Sequence, residues 1–223
     1  MSISSGKDRP PEDLTARARI RDAALAEFAE KGFKGATMKA VADAAGVSIG
    51  LVQHHFGSKD GLREACDQHV RDVILGAAGE VQDGADVSPE FLRGMYEASG
   101  LSVRYLARAL VEGSPVAAAL FDEGAEAAER FFAATWPEEF SPGEARVRER
   151  AAVMAAMHLG TIVLHQHLSR RLGIDVLQGA NSSLIGTALA DVYAHMGQWI
   201  AAEQGGRLRQ AVTDFHTKEH PDA

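Results

Sequence analysis

The chain has 223 residues, of which 46% are hydrophobic and 24% charged, a balance that supports a buried core and excludes disorder for most of its length. Its net charge of −8 argues at first against nucleic acid as a partner, because Lys and Arg supply most nonspecific affinity for phosphates. However, residues 1–70 hold ten Lys/Arg and ten Asp/Glu, so the acidic excess lies in the rest of the chain and DNA is not excluded.

The N-terminal segment predicts an arm followed by a helix. Residues 1–13 are polar and contain prolines, without the apolar stretch of a secretory signal, and we expect a flexible arm. Apolar residues then recur at four-residue spacing from Ile20 to Phe28, which predicts a helix over Arg17–Lys31. Gly32 is expected to end that helix.

Capping residues predict two short helices joined by a tight turn, followed by a third helix, within residues 37–62. Thr37 and Ser48 each precede an apolar periodic segment, and a hydroxyl there can accept from amides that the first turn leaves unpaired. Gly46 can adopt the left-handed conformation that ends the first helix. Ser58 caps the third. Because one residue separates Gly46 from Ser48, the connection is a sharp turn, as in a helix-turn-helix DNA-binding motif.

The middle helix, residues 49–56, is predicted to have two faces. Val52 and Phe56 are four apart and should point into the core. The outer face holds Ile49, Gly50, Gln53 and His54. Gln53 can form a bidentate pair with adenine in the major groove. A glycine inside a helix costs roughly 1 kcal/mol relative to alanine, so its presence at position 50 needs a reason. We attribute it to close approach of a phosphate backbone; tight packing against a neighbouring helix is the alternative.

Basic side chains around this helix are candidates for phosphate contacts. His54 and His55 can donate to phosphates, more strongly when protonated, although His55 could instead pack beside Phe56. Lys59 lies at a helix start beside the expected groove. A metal site is not expected, because adjacent histidines on a helix do not converge on one ion. The predicted DNA-contacting residues are Thr37, Lys39, Ser48, Ile49, Gly50, Gln53, His54, His55 and Lys59.

The stretch from about Arg17 to Leu62 resembles the DNA-binding domain of the tetracycline-repressor (TetR) family of bacterial transcription regulators. The residues that carry the resemblance are Phe28, Gly32, Phe33, Thr37, Val41, Ala42, Ala45, Gly46, Val47, Ser48, Gly50, Phe56, Ser58 and Lys59. One departure is that family members often have tyrosines where this chain has Gln53 and His55. The resemblance implies a homodimer whose two DNA-binding domains occupy the half-sites of a palindromic operator in double-stranded DNA, and a repressor released by a small-molecule effector.

The rest of the chain has helical periodicity without an alternating strand pattern, so we predict an all-α fold with an N-terminal three-helix DNA-binding domain and a larger helical body. The resemblance implies that this body binds a ligand and dimerises. Ser88, Pro89 and Glu90 form a strong helix start. Further helices are predicted over Pro115–Thr135, Glu144–Leu172 and Ser182–Gln204. We divide the chain into a flexible arm (1–13), a helix-turn-helix domain (14–62), an effector-binding and dimerisation domain (63–216) and a flexible tail (217–223).

An apolar stripe in the last predicted helix indicates a dimer interface, with inward packing as the alternative. Its members are Ile185, Leu189, Val192, Met196 and Trp199. In the family two C-terminal helices of each subunit form this interface, which here suggests Glu144–Leu172 and Ser182–Gln204.

The resemblance also implies a ligand cavity in the body. Its candidate lining residues are Tyr105, Phe121, Met154 and His158, although aromatic and Met residues at helical spacing usually belong to the core. His158 and His165, seven apart on one helix face, could be read as metal ligands; hydrogen-bonded buried histidines are the favoured interpretation, and no metal or cofactor is expected.

Other classes of protein are weakly supported. The segment Ala151–Leu168 is the closest approach to a membrane span, but three histidines and a glutamine interrupt it, so we expect no membrane association and a cytoplasmic protein. Cys66 is the single cysteine, which rules out an intrachain disulfide. No GxSxG, HExxH or glycine-rich phosphate loop is present, so no catalytic residue is assigned and no enzyme is predicted. A helical interaction protein or a metal sensor on the same fold is the alternative function.

Overall fold

The computed structural model describes residues 11–82, 89–141, 143–178 and 181–219. Within these ranges the chain forms ten helices and no strand, which confirms the all-α prediction. The helices are α1 (Pro11–Gly35), α2 (Met38–Ala45), α3 (Ile49–Phe56), α4 (Lys59–Gln82), α5 (Pro89–Glu112), α6 (Pro115–Thr135), α7 (Ala145–Val163), α8 (His165–Leu172), α9 (Ser182–Ala201) and α10 (Glu203–Glu219). Most of the predicted arm and part of the tail, together with Ser88, lie outside the described residues.

Helix α1 is longer than predicted. It begins at Pro11 rather than Arg17, so residues 11–13 of the predicted arm are helical. Gly32 interrupts it, as expected, with φ 71° and ψ 170°, a conformation that glycine reaches without steric cost. The following ring, Phe33, then packs back on Phe28, with 5.7 Å between ring centroids.

Two compact units make up the chain, residues 1–179 and residues 180–223. The first has a core that runs without a break from the short N-terminal helices into the body. Ile20 of α1, Val52 of α3 and Leu62 of α4 are fully buried, and the same apolar cluster includes Leu106 of α5 and Val116 of α6. The residues on either side of position 62 therefore share one core. The second unit consists of α9 packed against α10.

Polar contacts add to this core between helices. The Tyr105 hydroxyl on α5 donates to Asp67 on α4, and Arg71 on α4 pairs with Glu123 on α6 at 2.5 Å. Burial raises the pKa of the Asp67 carboxyl, and the hydrogen bond from Tyr105 partly opposes that change. Burial, followed by the contact with Asp67, also raises the pKa of Tyr105.

Two of the predicted helices are each divided in the structure. The helix predicted over 144–172 breaks at Leu164, where φ is −89° and ψ is 12°. Side chains beside the break bond to the backbone: Thr161 Oγ1 donates to His158 O at 2.6 Å, and His165 Nδ1 donates to Ile162 O at 2.8 Å. Such bonds compete with the regular helical pattern, and here they accompany a break that has no proline or glycine at its centre.

The second division falls at Ala202, which is extended with φ −74° and ψ 164°. The helix predicted to run to Gln204 therefore ends at Ala201, and α10 begins at once. Gly205 permits this close turn, because a Cβ built there would lie 2.2 Å from Trp199 O.

No helix among the described residues combines the length and the apolar character that crossing a bilayer requires.

The first turn of α4 lies directly against the last turn of α3 at Gly61. A Cβ built on Gly61 would lie 2.3 Å from Phe56 O, a backbone atom that cannot move aside cheaply. The Gly61 amide donates to Ser58 Oγ at 3.1 Å, which is the cap predicted from the sequence. Gly76 on the same helix has open space around the corresponding position.

Replacing Gly61→Ala is expected to lower the free energy of unfolding by about 1–3 kcal/mol, because the added methyl forces the two helices apart. The matched change Gly76→Ala is expected to raise it by up to about 1 kcal/mol through helix propensity alone. Urea unfolding followed by circular dichroism measures both. If both variants changed the free energy of unfolding equally and in the same direction, the close approach at Gly61 would be contradicted.

Candidate nucleic-acid interface

The helix-turn-helix is capped as the sequence predicts. Thr37 Oγ1 accepts from Ala40 N at 3.1 Å, and Ser48 Oγ accepts from Leu51 N at 3.2 Å. Gly46 is left-handed, with φ 65° and ψ 38°, and ends α2. Because these caps hold both ends of the turn, the direction in which α3 leaves it is set locally.

Helix α3 has the two faces that its spacing predicts. Val52 and Phe56 are buried in the core. Ile49 is 45% exposed, and Gly50, Gln53 and His54 are also exposed. We define the recognition surface as the exposed predicted residues of the α2 and α3 termini and of the outer α3 face: Thr37, Lys39, Ser48, Ile49, Gly50, Gln53 and His54. Among these, Gln53 offers an amide that can both donate to and accept from a base edge.

Gly50 does not owe its identity to packing within the chain. A Cβ built there would have Ser48 Oγ at 3.8 Å as its nearest neighbour, which is ordinary van der Waals contact. The alternative of tight helix packing is therefore not supported. Space for an approaching phosphate backbone remains the interpretation of this position.

His55 is half-buried and packs along α3. Its ring centroid lies 6.1 Å from that of Phe56 and 5.5 Å from that of His54. This position agrees with the alternative interpretation of a packing residue. A phosphate contact by His55 stays a prediction.

Aromatic rings position three cations close to the recognition surface. Lys59 Nζ lies 4.6 Å from the centroid of Phe33, and Arg63 Cζ lies 4.3 Å from the same centroid. Arg17 Cζ lies 5.1 Å from the centroid of Phe56. Each such contact is worth about 0.5–1 kcal/mol at exposed sites and limits where the cation can move. Arg17 and Arg63 were not among the predicted contacts; the four-residue spacing of Lys59 and Arg63 was the available signal.

Cys66 lies behind these helices in the core. Its Sγ is 3.8 Å from Arg21 O, and burial raises the pKa of the thiol to about 12. The thiol is therefore neutral and unreactive at ordinary pH.

The predicted effector residues lie in the core and at half-buried positions of the body. Tyr105 is 5% exposed and belongs to the core. Phe121, Met154 and His158 are half-buried, and His158 Nδ1 donates to Met154 O at 2.8 Å. A cavity of about 420 Å³ lies between α1, α5 and the α7–α8 junction, and none of these four residues lines it. Their role in effector binding stays a prediction. Among the described residues no group of three or more His, Cys, Asp or Glu is placed to hold a metal ion.

The predicted dimer stripe is largely exposed. Val192, Met196 and Trp199 are 53%, 45% and 42% exposed, whereas Ile185 and Leu189 are half-buried. Val192, Met196 and Trp199 are therefore not covered by α10, the other helix of their unit.

A comparison with family models matches residues 20–66 to "Bacterial regulatory proteins, tetR family". Residues 20–66 are therefore similar to the TetR family. The matched segment contains the whole helix-turn-helix and the cations at Lys59 and Arg63, and it ends at Cys66.

Curated relatives agree with this assignment. The chain is 40% identical over 121 residues to the HTH-type transcriptional regulatory protein RaaS of Mycobacterium tuberculosis, which covers 53% of this chain and 56% of that protein. It is 39% identical over 84 residues to the HTH-type transcriptional regulator BetI of Burkholderia thailandensis, which covers 37% and 43%. The matches thus span about half the length of these relatives or less. Both relatives are named as regulators, in agreement with the prediction that the chain is not an enzyme.

A solved structure extends the similarity into the body. The crystal structure of a gamma-butyrolactone receptor (ArpA-like protein) matches with a TM-score of 0.54 at 22% identity, covering 69% of this chain and 81% of the other. At that identity the match shows a shared fold.

The open space at Gly50 generates a prediction that separates folding from binding. Gly50→Ala is expected to leave the free energy of unfolding unchanged or to raise it by up to about 1 kcal/mol, because the helix gains propensity without a clash. Affinity for a duplex selected from a random-sequence pool is expected to fall at least about tenfold through lost backbone approach. Thermal unfolding and fluorescence anisotropy measure the two effects.

Gly124→Ala on α6 is the control, since it also faces open space and lies far along the chain from α3. Unchanged duplex affinity in Gly50→Ala would remove this residue from the interface.

Proposed function

We propose that this chain is a sequence-specific DNA-binding transcriptional regulator of the cytoplasm. It acts as a homodimeric repressor that binds a palindromic operator and is released by a small-molecule effector. The observation that carries the proposal is the exposed outer face of α3, held by two side-chain caps within a TetR-family domain.

Charge distribution supports a DNA partner. Residues 1–70 are electrically neutral overall, so the acidic remainder of the chain carries the −8. Lys59, Arg63 and Arg17 are the cations held on aromatic rings near α3. These cations would lie beside the duplex, while the acidic residues that repel phosphates are confined to the body. Such an arrangement is compatible with binding through contacts to both phosphates and bases.

Exposed apolar residues support a dimer through α9 and α10. Besides the α9 stripe, Leu208, Val212 and Phe215 of α10 are 55%, 61% and 67% exposed. These three follow the spacing of one helix face. Val153 and Met157 of α7, four residues apart, are also 59% and 51% exposed. In our proposal α10 therefore adds to the predicted pair Glu144–Leu172 and Ser182–Gln204 and does not replace it. Two copies would place two recognition helices on one side of a duplex.

Release by an effector requires a connection between body and DNA-binding domain. Both α1 and α4 pack on α5, and Phe28 and Tyr105 bring their ring centroids to 6.3 Å. A shift of α5 therefore moves two of the helices that support α3. Changing operator occupancy from 99:1 to 1:99 requires a differential affinity of about 5.5 kcal/mol between the two arrangements.

The net charge keeps a second function in view, a helical interaction protein that no longer binds DNA. Selection of bound fragments from random-sequence DNA, followed by a salt titration on the recovered duplex, decides between the two. A palindromic half-site and a steep fall of affinity with salt support the regulator. Weak binding at low salt without sequence preference would overturn it.

Two substitutions distinguish base contacts from phosphate contacts. Gln53→Ala is expected to relax preference at one half-site position at a cost of about 1–3 kcal/mol. Lys59→Ala is expected to weaken binding to all sequences alike. It should also reduce the slope of log affinity against log salt concentration by about one unit per half-site. Lys31→Ala is the control, because its ammonium pairs with Glu27 at 2.7 Å on α1. A uniform loss in Gln53→Ala, or an unchanged slope in Lys59→Ala, would show that the respective assignment is wrong.

Matched valine substitutions test the dimer. Val192→Glu on α9 is expected to raise the dimer dissociation constant at least about a hundredfold, because it buries an unpaired carboxylate. Val153→Glu on α7 changes a valine of similar exposure, 59% against 53%, on the other helix of the predicted pair, and the constant is expected to rise likewise. Sedimentation equilibrium measures both constants. An unchanged constant in Val192→Glu would remove the α9 stripe from the interface, and an unchanged constant in Val153→Glu would remove α7.

A further inference from the structure

The cavity of about 420 Å³ in the first unit lies where a helix of the DNA-binding domain meets the body. Helix α1 contributes one wall, α5 a second, and the α7–α8 junction a third. We call this cavity the α1–α5 groove. Its volume is at the lower end of the range for small-molecule sites.

The lining combines an apolar surface with a cationic pair. Leu101, Val111 and Val163 are among its apolar residues. Arg104 and Arg108 also line it, and their four-residue spacing places them on one face of α5. Glu30 is the acidic residue of the lining, and each arginine also pairs with a carboxylate outside it, Asp175 or Glu112.

Each arginine is held at the edge of the groove by a carboxylate. Arg104 Nη2 donates to Asp175, and Arg108 Nε donates to Glu112 Oε1 at 2.9 Å. The side chains of Arg104 and Arg108 are still 34% and 42% exposed. Because a guanidinium has five N–H donors, one carboxylate contact leaves donors available to a second anion.

The partner of Arg108 also contacts the DNA-binding domain. Glu112 Oε2 accepts from the backbone N of Phe33 at 3.2 Å. The approach is close, since a Cβ built on Gly32 would lie 2.1 Å from Glu112 Oε1 and 2.5 Å from Arg108 Nη2. The ring of Phe33 in turn lies under Lys59 and Arg63. A continuous set of contacts therefore joins the groove to the start of α4.

We infer that the α1–α5 groove is a regulatory site for a small amphipathic carboxylate, whose anionic end binds Arg104 and Arg108 and whose apolar end covers Leu101, Val111 and Val163. A second carboxylate on Arg108 shares the positive charge with Glu112 and repels it, so the Arg108–Glu112 contact weakens. Glu112 then holds the Phe33 amide less firmly, which loosens the connection between α5 and the end of α1.

The inference rests on the proposed function for its effect on DNA, but the binding itself does not. The probe is sodium octanoate, whose chain and carboxylate fit the volume and the charge of the groove. Octanol and octylamine are matched probes that keep the chain and change the end group. Isothermal titration calorimetry on the full chain measures each of them in the absence of DNA.

Octanoate is expected to bind at least about tenfold more tightly than octanol, and octylamine is expected to bind most weakly. Equal affinities for octanoate and octanol would overturn the carboxylate site and leave an unspecific apolar surface. Tighter binding of octylamine would also overturn it, because Glu30 would then dominate the groove.

Substitutions locate the site and test the competition. Arg104→Gln and Arg108→Gln are each expected to lower the affinity for octanoate about tenfold or more. Arg130→Gln, on α6 outside the groove, is the control; its guanidinium is 4.0 Å from Glu126 and 66% exposed. Glu112→Gln is expected to tighten octanoate binding by about threefold or more, because Arg108 loses its competitor. Damage to the fold cannot produce this gain, so unchanged or weaker binding in Glu112→Gln would overturn the competition.

Fluorescence anisotropy with the selected duplex separates the two proposals. Octanoate is expected to weaken duplex binding in the wild-type chain and in Arg130→Gln, but not in Arg108→Gln. Octanoate binding that depends on the arginines, in a chain that binds no duplex, would overturn the proposed function and leave the site standing. Duplex binding without any octanoate binding would overturn the site alone, and octanoate binding without an effect on the duplex would overturn its regulatory role.

Discussion

A single apolar core connects the recognition helix to the body, and the rest of the first unit depends on it. Val52 beneath α3, Leu62 of α4 and Leu106 of α5 are all fully buried in the same cluster. Burial of one such side chain stabilises by roughly 1.5–3 kcal/mol. This core has no break at the end of the helix-turn-helix, and α5 packs on α1 and α4, which both contact α3. That continuity supports our proposal that a ligand in the body influences DNA binding.

The distribution of charge also differs between the N-terminal part and the rest of the chain. The N-terminal part combines zero net charge with cations held on Phe33 and Phe56, while the acidic excess lies farther along the chain. Phe33 takes part in two contacts: its ring lies under Lys59, and its backbone amide donates a hydrogen bond to Glu112 of α5. One residue near the end of α1 thus links the proposed phosphate-facing surface to the body.

The elements predicted best are those whose signals are local. Thr37, Gly46 and Ser48 mark the turn because capping and left-handed geometry depend on a few neighbouring residues. The outer face of α3 followed from the spacing of Val52 and Phe56. The break at Leu164 was missed, because it accompanies side-chain bonds to nearby carbonyls and has no glycine or proline at its centre.

The sequence by itself determined the all-helical class, the bounds of the helix-turn-helix and the face of α3 that solvent reaches, since these arise from periodicity and capping within single helices. Only the tertiary structure decided that Tyr105 belongs to the core, that Arg63 shares the ring of Phe33 with Lys59, and that Arg108 and Glu112 of α5 meet Gly32. Those outcomes depend on how helices distant in sequence pack together, and no local spacing records that.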